Sequence, residues 1–187
     1  MRVIAGAFKG QRISAPRGSA RPTGDRVREA AFSMLGTIEQ SSVLDLFAGS
    51  GALGIEGLSR GAASATFVDS DRGATATVEA NIERLGIEDD AAKVFRADAI
   101  SFLRGAARHG DRWDLAFCDP PYKLAGRLAN ELGGLLVPVL SSGARVLCES
   151  SYRHPLRLDL PELVVVVERR YGDTLIVIHS KANPDGT

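Results

Sequence analysis

Cysteine is nearly absent from this sequence, histidine is sparse, and no apolar run approaches the roughly 18 residues that a membrane-spanning helix needs. The two cysteines, Cys118 and Cys148, stand inside apolar runs, which suits small buried side chains rather than a disulfide. The three histidines, His109, His154 and His179, are scattered and form no ligand spacing with the cysteines, so no metal centre is expected. The first residues carry Arg2, Lys9, Arg12 and Arg17 instead of the apolar core of a secretory signal, so the expected location is the cytoplasm and no membrane partner is expected.

What is present is an ordinary globular composition. With 187 residues, 44% hydrophobic and 25% charged, the chain has enough length for one main core. The formal net charge of zero hides an asymmetry. Arg2, Lys9, Arg12, Arg17, Arg21, Arg26 and Arg28 face a single acid, Asp25, within residues 1–28. Such an arm attracts phosphate backbones through counterion release, or it is a solvated face balanced by acids elsewhere; composition leaves both open.

Residues 2–14 give two short apolar and basic runs around Lys9-Gly10, which predict a small hairpin. Pro16, Gly18 and Pro22 then mark a loop. A helix follows, with Thr23 as its cap, Asp25 in its first turn, and Val27, Ala30, Ala31 and Met34 at helical spacing up to Gly36. Residues 1–36 therefore read as an extension and 37–187 as the main domain. In the latter, apolar strands at 43–47, 65–69, 93–97 and 113–118 alternate with helices at about 52–60, 72–85 and 99–108. That alternation predicts a parallel sheet covered on both faces with right-handed crossovers. A fifth strand is expected at 144–149, and LVVVVERR and TLIVIHS, flanking Tyr171-Gly172-Asp173, predict a closing antiparallel hairpin. The tail KANPDGT is polar and expected to be loose.

The segment 45–54, DLFAGSGALG, ends a strand and opens a helix, with Gly49, Gly51 and Gly54 in a G-x-G-x-x-G arrangement. Glycines let such a turn approach a ligand without Cβ clashes, and Asp69 lies at the end of the second strand, so a nicotinamide dinucleotide site satisfies the same pattern. Asp45 and Asp98 favour S-adenosylmethionine instead: Asp45 can bind an ammonium group, directly or through water, and Asp98 can accept from the adenine amine. Each carboxylate also has a plainer reading, with Asp45 satisfying loop amides, Asp98 capping the helix after it, and the neighbouring Asp71 capping the helix at Arg72. Three aspartates at three successive strand ends are better explained by one ligand at the switch point of the sheet.

Directly after the fourth apolar strand stands Asp119-Pro120-Pro121-Tyr122. Average residue usage puts its chance occurrence at roughly one in a thousand, which makes it the most specific signal present. Prolines end strands and a tyrosine can simply pack, but neither accounts for the aspartate. An exocyclic amine on a nucleobase is a poor nucleophile because its lone pair is delocalised. The Asp119 carboxylate and the Pro120 carbonyl can hold its two hydrogens, Tyr122 can stack on the base, and Pro120 and Pro121 restrict the backbone beforehand. The substrate base must then be single-stranded, looped or flipped out.

The runs RVIAGAFKGQRI, RPTGDRVREAAFSML, DLFAGSGALGIEGLSRGA, FVDSDR, ADAISFL and DPPY cover nearly the whole chain. Through them it resembles the bacterial 16S ribosomal RNA guanine-N2 methyltransferases that modify the guanine called position 966. The resemblance implies a Rossmann-like class I methyltransferase fold, an α/β fold with a mostly parallel seven-stranded sheet, a C-terminal antiparallel hairpin and a small N-terminal extension. It implies S-adenosylmethionine as donor, and as partner 16S rRNA in an assembling small ribosomal subunit, with the protein acting as a monomer. It implies that Asp45, Phe47, Ala48, Gly49, Ser50 and Gly51 surround the amino-acid end of the cofactor, Asp69 and Ser70 its ribose, Asp98 and Ala99 its adenine, and Asp119 to Tyr122 the reacting amine. Arg2, Lys9, Arg12, Arg21, Thr23, Arg26 and Arg28 become candidate RNA contacts, with bracing of the cofactor site as the alternative for the RPTGDRVRE residues. The rival functions are a DNA adenine-N6 methyltransferase, for which the chain has little room to read a DNA target, and a non-catalytic RNA-binding assembly factor, which would not need an intact Asp119 to Tyr122.

Overall fold

The computed structural model describes residues 1–16, 24–121, 129 and 131–182. Arg17, Gly18, Arg21, Pro22, Thr23, Tyr122 and most of the polar tail lie outside them. The described chain forms two compact units, 1–99 and 100–187.

In the first unit, β1 (Ser42–Asp45), β2 (Ser64–Asp69) and β3 (Ala92–Arg96) run parallel, with Asp45 abreast of Phe67 and Asp69 abreast of Arg96. The strand predicted at 43–47 stops at Asp45, where the chain turns. Helix α1 (Asp25–Leu35) precedes the strands, and α2 (Ala52–Ser59) and α3 (Arg72–Leu85) connect them. The position before α1 is Gly24, in extended conformation and with no side-chain cap, so the cap expected from Thr23 falls one residue too early. Helix α3 has local signals at both ends. Asp71 accepts a hydrogen bond from the Ala74 amide at 2.8 Å, and Gly86 takes a left-handed conformation with Ile87 N–H bonded back to Ile82 C=O, a Schellman closure.

The N-terminal runs do not form a regular hairpin. A single antiparallel bridge joins Arg2 and Arg12, supplemented by Val3 N–H to Gln11 C=O at 3.0 Å and Gly10 N–H to Val3 C=O at 2.9 Å. The loop is held from outside instead. The Ile4 and Ala5 amides donate to the Glu56 carboxylate at 2.8 and 3.0 Å, and the Phe8 amide donates to Ser59 Oγ at 3.0 Å.

In the second unit, following α4 (Ala99–His109), β4 (Trp113–Cys118) pairs parallel with β5 (Leu140–Ser151), placing the buried, unbridged Cys118 and Cys148 side by side. A helical stretch at 131–136 and a short 3-10 turn, Val137–Val139, precede β5 and have no counterpart in the sequence reading. Strand β5 also starts four residues before the expected 144. The hairpin β6 (Leu163–Tyr171) and β7 (Thr174–Lys181) closes through Gly172-Asp173, with Gly172 at φ 61°, as the turn residues predicted. Strand β7 inserts antiparallel between β5 and β6, and the seven-stranded order is β3-β2-β1-β4-β5-β7-β6. The fold is the mostly parallel α/β sheet with an antiparallel C-terminal pair that the pattern predicted. Among the described residues no helix is long and apolar enough to cross a membrane.

Candidate functional site

The carboxyl ends of β1, β2 and β3 carry Asp45, Asp69 and, two residues past β3, Asp98. The turn after β1 reaches α2 through Gly49 at φ 55° and Gly51 at φ 78°, a left-handed geometry that glycine adopts without Cβ strain. Gly54 serves packing rather than turning: a Cβ there would run into the Phe67 ring on β2, so the helix lies as close to the sheet as only glycine permits.

Asp45 is buried, and its Oδ2 accepts the Gly54 amide at 2.9 Å. Burial pushes its carboxyl up from the usual 3.8 to about 7; the Gly54 amide pulls it partway back and the Asp69 charge adds to the rise. A half-neutral buried carboxyl of this kind is matched by a cation, which restores its ionised form. Asp69, half-buried, accepts the Gly49 amide on Oδ2 and the Asp71 amide on Oδ1, both at 2.9 Å. Each of those oxygens keeps a second lone pair for a ligand hydroxyl. Asp98 and Ser70 are exposed, Ala99, Ala48 and Ser50 buried, and Phe47 half-buried. The plainer readings of Asp45 and Asp71 are both realised, and for Asp45 this coexists with an environment suited to a cation.

Two residues bracing this region escaped the sequence reading. Asn81 on α3 is fully buried; its Nδ2 donates to the Ser50 carbonyl at 2.9 Å and to the Ser14 carbonyl at 3.0 Å, while its Oδ1 accepts the Ser14 amide at 2.8 Å. It thus ties the glycine turn to the end of the N-terminal loop. Glu56, also buried, takes the Ile4 and Ala5 amides, pairs with Arg60 Nε at 2.8 Å and lies 3.7 Å from Arg28 Nε. The signals were present: Glu56 is the one acid within an apolar helix, and Asn81 occupies core-facing spacing with Val78, Ile82 and Leu85.

Of the candidate RNA contacts, Arg2, Lys9, Arg12 and Arg26 are exposed. Arg28 is not. Its side chain is fully buried, donating to the Arg2 carbonyl and, at 3.0 Å, to Asp25 Oδ1, with Met1 Sδ 3.8 Å from Nη1. A guanidinium enclosed in this way has no surface to offer a phosphate, so the expectation of an RNA contact is corrected to bracing. Met1 Sδ in turn lies 3.6 Å from Ser50 Oγ, so the arginine supports the N-terminal loop where it meets the glycine turn. Arg21 and Thr23 fall outside the described residues.

In the second unit Asp119 follows β4 directly and is half-buried, Pro120 is buried and Pro121 exposed, while Tyr122 lies outside the described residues. Strand β4 is buried from Leu115 through Cys118, so Asp119 is the first carboxylate that the strand delivers to its carboxyl end. His179, buried on β7, accepts the Leu158 amide on Nε2 at 3.2 Å, and burial lowers its pKa, which marks it as a neutral structural side chain.

The comparisons agree with this architecture. YlbH of Bacillus subtilis is 40% identical over 190 residues, covering 97% of this chain and 99% of that protein. The ribosomal RNA small subunit methyltransferase D of Escherichia coli K12 is 40% identical over 125 residues, a stretch taking in 66% of this chain and 61% of that protein. Among solved structures, yhhF from Escherichia coli superposes with a TM-score of 0.83 at 32% identity over 98% of each chain. An RNA methyltransferase of Salinibacter ruber, solved with S-adenosyl-L-homocysteine, shares the fold at TM-score 0.66 and 14% identity, over 87% of this chain and 94% of that one. The family described as Conserved hypothetical protein 95 matches residues 1–180. The chain belongs to that family, the family of the ribosomal RNA small subunit methyltransferase D proteins.

Proposed function

We propose that this protein uses S-adenosylmethionine to methylate the exocyclic N2 amine of one guanine in small-subunit ribosomal RNA. The observation that carries the reading is Asp119-Pro120-Pro121 at the carboxyl end of β4, followed in the sequence by Tyr122, in a chain whose first two strands end on Asp45 and Asp69 and whose third is followed two residues on by Asp98. Relatives named as ribosomal RNA small subunit methyltransferases support the substrate class.

The residues fit the cofactor chemically. The buried Asp45, its carboxyl raised to about 7, suits the amino-acid ammonium. Asp69 has lone pairs left for ribose hydroxyls, and the exposed Asp98 suits the adenine amine. When bound, the cofactor supplies an electrophilic methyl on a sulfonium sulfur. The chain's own task is to make the amine nucleophilic. Asp119 and the Pro120 carbonyl accept the two amine hydrogens and so turn the nitrogen lone pair toward the methyl, while Tyr122 fixes the plane of the base. Held in this way, the nitrogen would take up the methyl group that the cofactor supplies and give up one proton to Asp119 or to water.

Radiolabelled methyl transfer to small subunits lacking their own methylation tests the proposal. Label on N2 of a single guanine is expected. Label on adenine or on DNA overturns it in favour of an adenine-N6 enzyme, and cofactor binding without transfer to any nucleic acid favours a non-catalytic assembly factor.

A further inference from the structure

The C-terminal hairpin has no part in the chemistry above, yet one end of it has an unusual surface. Strand β5 is parallel to β4, and β7 is antiparallel to both β5 and β6, so β6 runs in the direction of β4. The register puts Ser151, Thr174 and Tyr171 abreast, and the Tyr152 amide donates to the Asp173 carbonyl at 2.8 Å. Tyr152, Tyr171 and the Gly172-Asp173 turn therefore all lie at the carboxyl end of the strands, the end at which β4 delivers Asp119 within the same unit. With Cys118 abreast of Cys148, Ser151 stands about 10 Å further along the strand direction, and β5, β7 and β6 are displaced from β4 by successive spacings of about 4.8 Å. A strand of RNA whose base reached Asp119 would carry its neighbouring nucleotides over this end.

The chemistry of the surface matches such a strand. Tyr152 and Tyr171 are 48% and 36% exposed, a large aromatic area to leave in water. The Arg170 guanidinium stacks on the Tyr152 ring at 3.8 Å from its centroid and is held there by a bond from Nε to the Gly172 carbonyl at 2.7 Å. Arg153, the residue after Tyr152, is exposed as well. Of the two acids in the adjoining segments, Glu168 is engaged by Arg157 in a bidentate pair, with closest approach 2.8 Å, leaving Asp173. A rigid aromatic face backed by a cation and bordered by an arginine is how proteins hold single-stranded nucleic acid irrespective of sequence: bases stack on the ring, and phosphates meet the guanidinium groups.

We infer that Tyr152, with Arg170 behind it and Arg153 next to it in the chain, stacks an unpaired nucleotide flanking the target guanine and so forms an RNA-holding surface in addition to the N-terminal basic loop. This rests on the proposed RNA substrate. Tyr152→Ala is expected to raise KM for under-methylated small subunits about tenfold with kcat nearly unchanged, and to weaken binding to protein-free 16S rRNA by a similar factor. Tyr152→Phe, which keeps the stacking face, restores both. Arg153→Glu, at an exposed position next to Tyr152, provides a second reading through a shallower salt dependence of RNA binding. A KM for Tyr152→Ala within twofold of the wild type, with an unaltered salt slope for Arg153→Glu, overturns the inference while leaving the methyltransferase reading intact. A defect seen on subunits but absent on protein-free rRNA assigns the surface to a ribosomal protein and overturns it equally. A wild-type protein that transfers no methyl group to any RNA removes the functional reading, and this inference with it.

Discussion

The turn after β1 and the stretch after β4 both end a buried parallel strand on an aspartate, but they are held by different means. Around the first, the local bonds of the Gly51 amide to the Ala48 carbonyl and of the Gly54 amide to Asp45 are joined by bonds from far along the chain: Asp69 accepts the Gly49 amide, Asn81 bridges Ser50 and Ser14, and Glu56 accepts the Ile4 and Ala5 amides. In the second, Asp119 is followed by two prolines whose rings restrict the backbone from within the chain itself. On the proposed function, the first is a loop that fits an elongated ligand at several points and is shaped by tertiary bonds, and the second is a stretch that orients one amine with two acceptors and little freedom. Substitutions in the two regions should therefore fail in different ways.

The largest expected effect is at Asp119. Asp119→Ala should lower methyl transfer about a thousandfold, since the amine loses the side-chain acceptor that orients it, with cofactor affinity in a calorimetric titration unchanged. Cofactor affinity falling in step with turnover would erase the functional division between the regions. Next comes Glu56→Ala, which acts through the fold. It removes the buried one of the two carboxylates around Arg28, leaving only Asp25, and takes the acceptor from the Ile4 and Ala5 amides, and removing one partner of a buried charge pair costs about 3–5 kcal/mol. Urea unfolding should show that loss as a lower midpoint at constant slope. A stability change below about 1 kcal/mol would mean that the N-terminal loop does not depend on this network.

The same contrast explains what could be read from the chain before its structure. Helix α3 was legible to its end residues because Asp71 and Gly86 are signals at its own ends, and β4 because Trp113 and the run Leu115 to Cys118 are apolar with only Asp114 between them. The glycine motif and Asp119-Pro120-Pro121 were legible for the same reason, being short and contiguous. The N-terminal runs suggested a regular hairpin because their alternation is visible, whereas the acceptors that hold them, on Glu56, Ser59 and Asn81, are about fifty to seventy positions away. Arg28 shows the limit most clearly. In a cluster of arginines it reads as one more surface cation, and only the carbonyl of Arg2 and the carboxylates of Asp25 and Glu56 closing around it show that its charge is internal.

The smallest effect concerns protons at Asp45. Its folded-state carboxyl is raised to about 7 from 3.8, so between those values the folded protein holds a proton that the unfolded chain has released. Stability from this group is therefore greatest at low pH, declines as pH rises from about 4 to about 7, and is level above that; Asp45→Asn should remove this part of the slope. Cofactor binding runs the other way. An ammonium group is held by the ionised carboxylate, whose share in the free protein grows from about a tenth at a pH one unit below the pKa to about nine-tenths one unit above it. Affinity should accordingly rise about tenfold from pH 6 to pH 8, with a proton released on binding near pH 6, measurable by calorimetry in buffers of different ionisation enthalpy. Asp45→Asn should bind more weakly and with no such pH dependence. A wild-type affinity that is flat across this range would separate Asp45 from the cofactor ammonium and leave it as a structural acceptor for Gly54, making the β1 region a braced turn whose ligand contacts come from Asp69 and Asp98 alone.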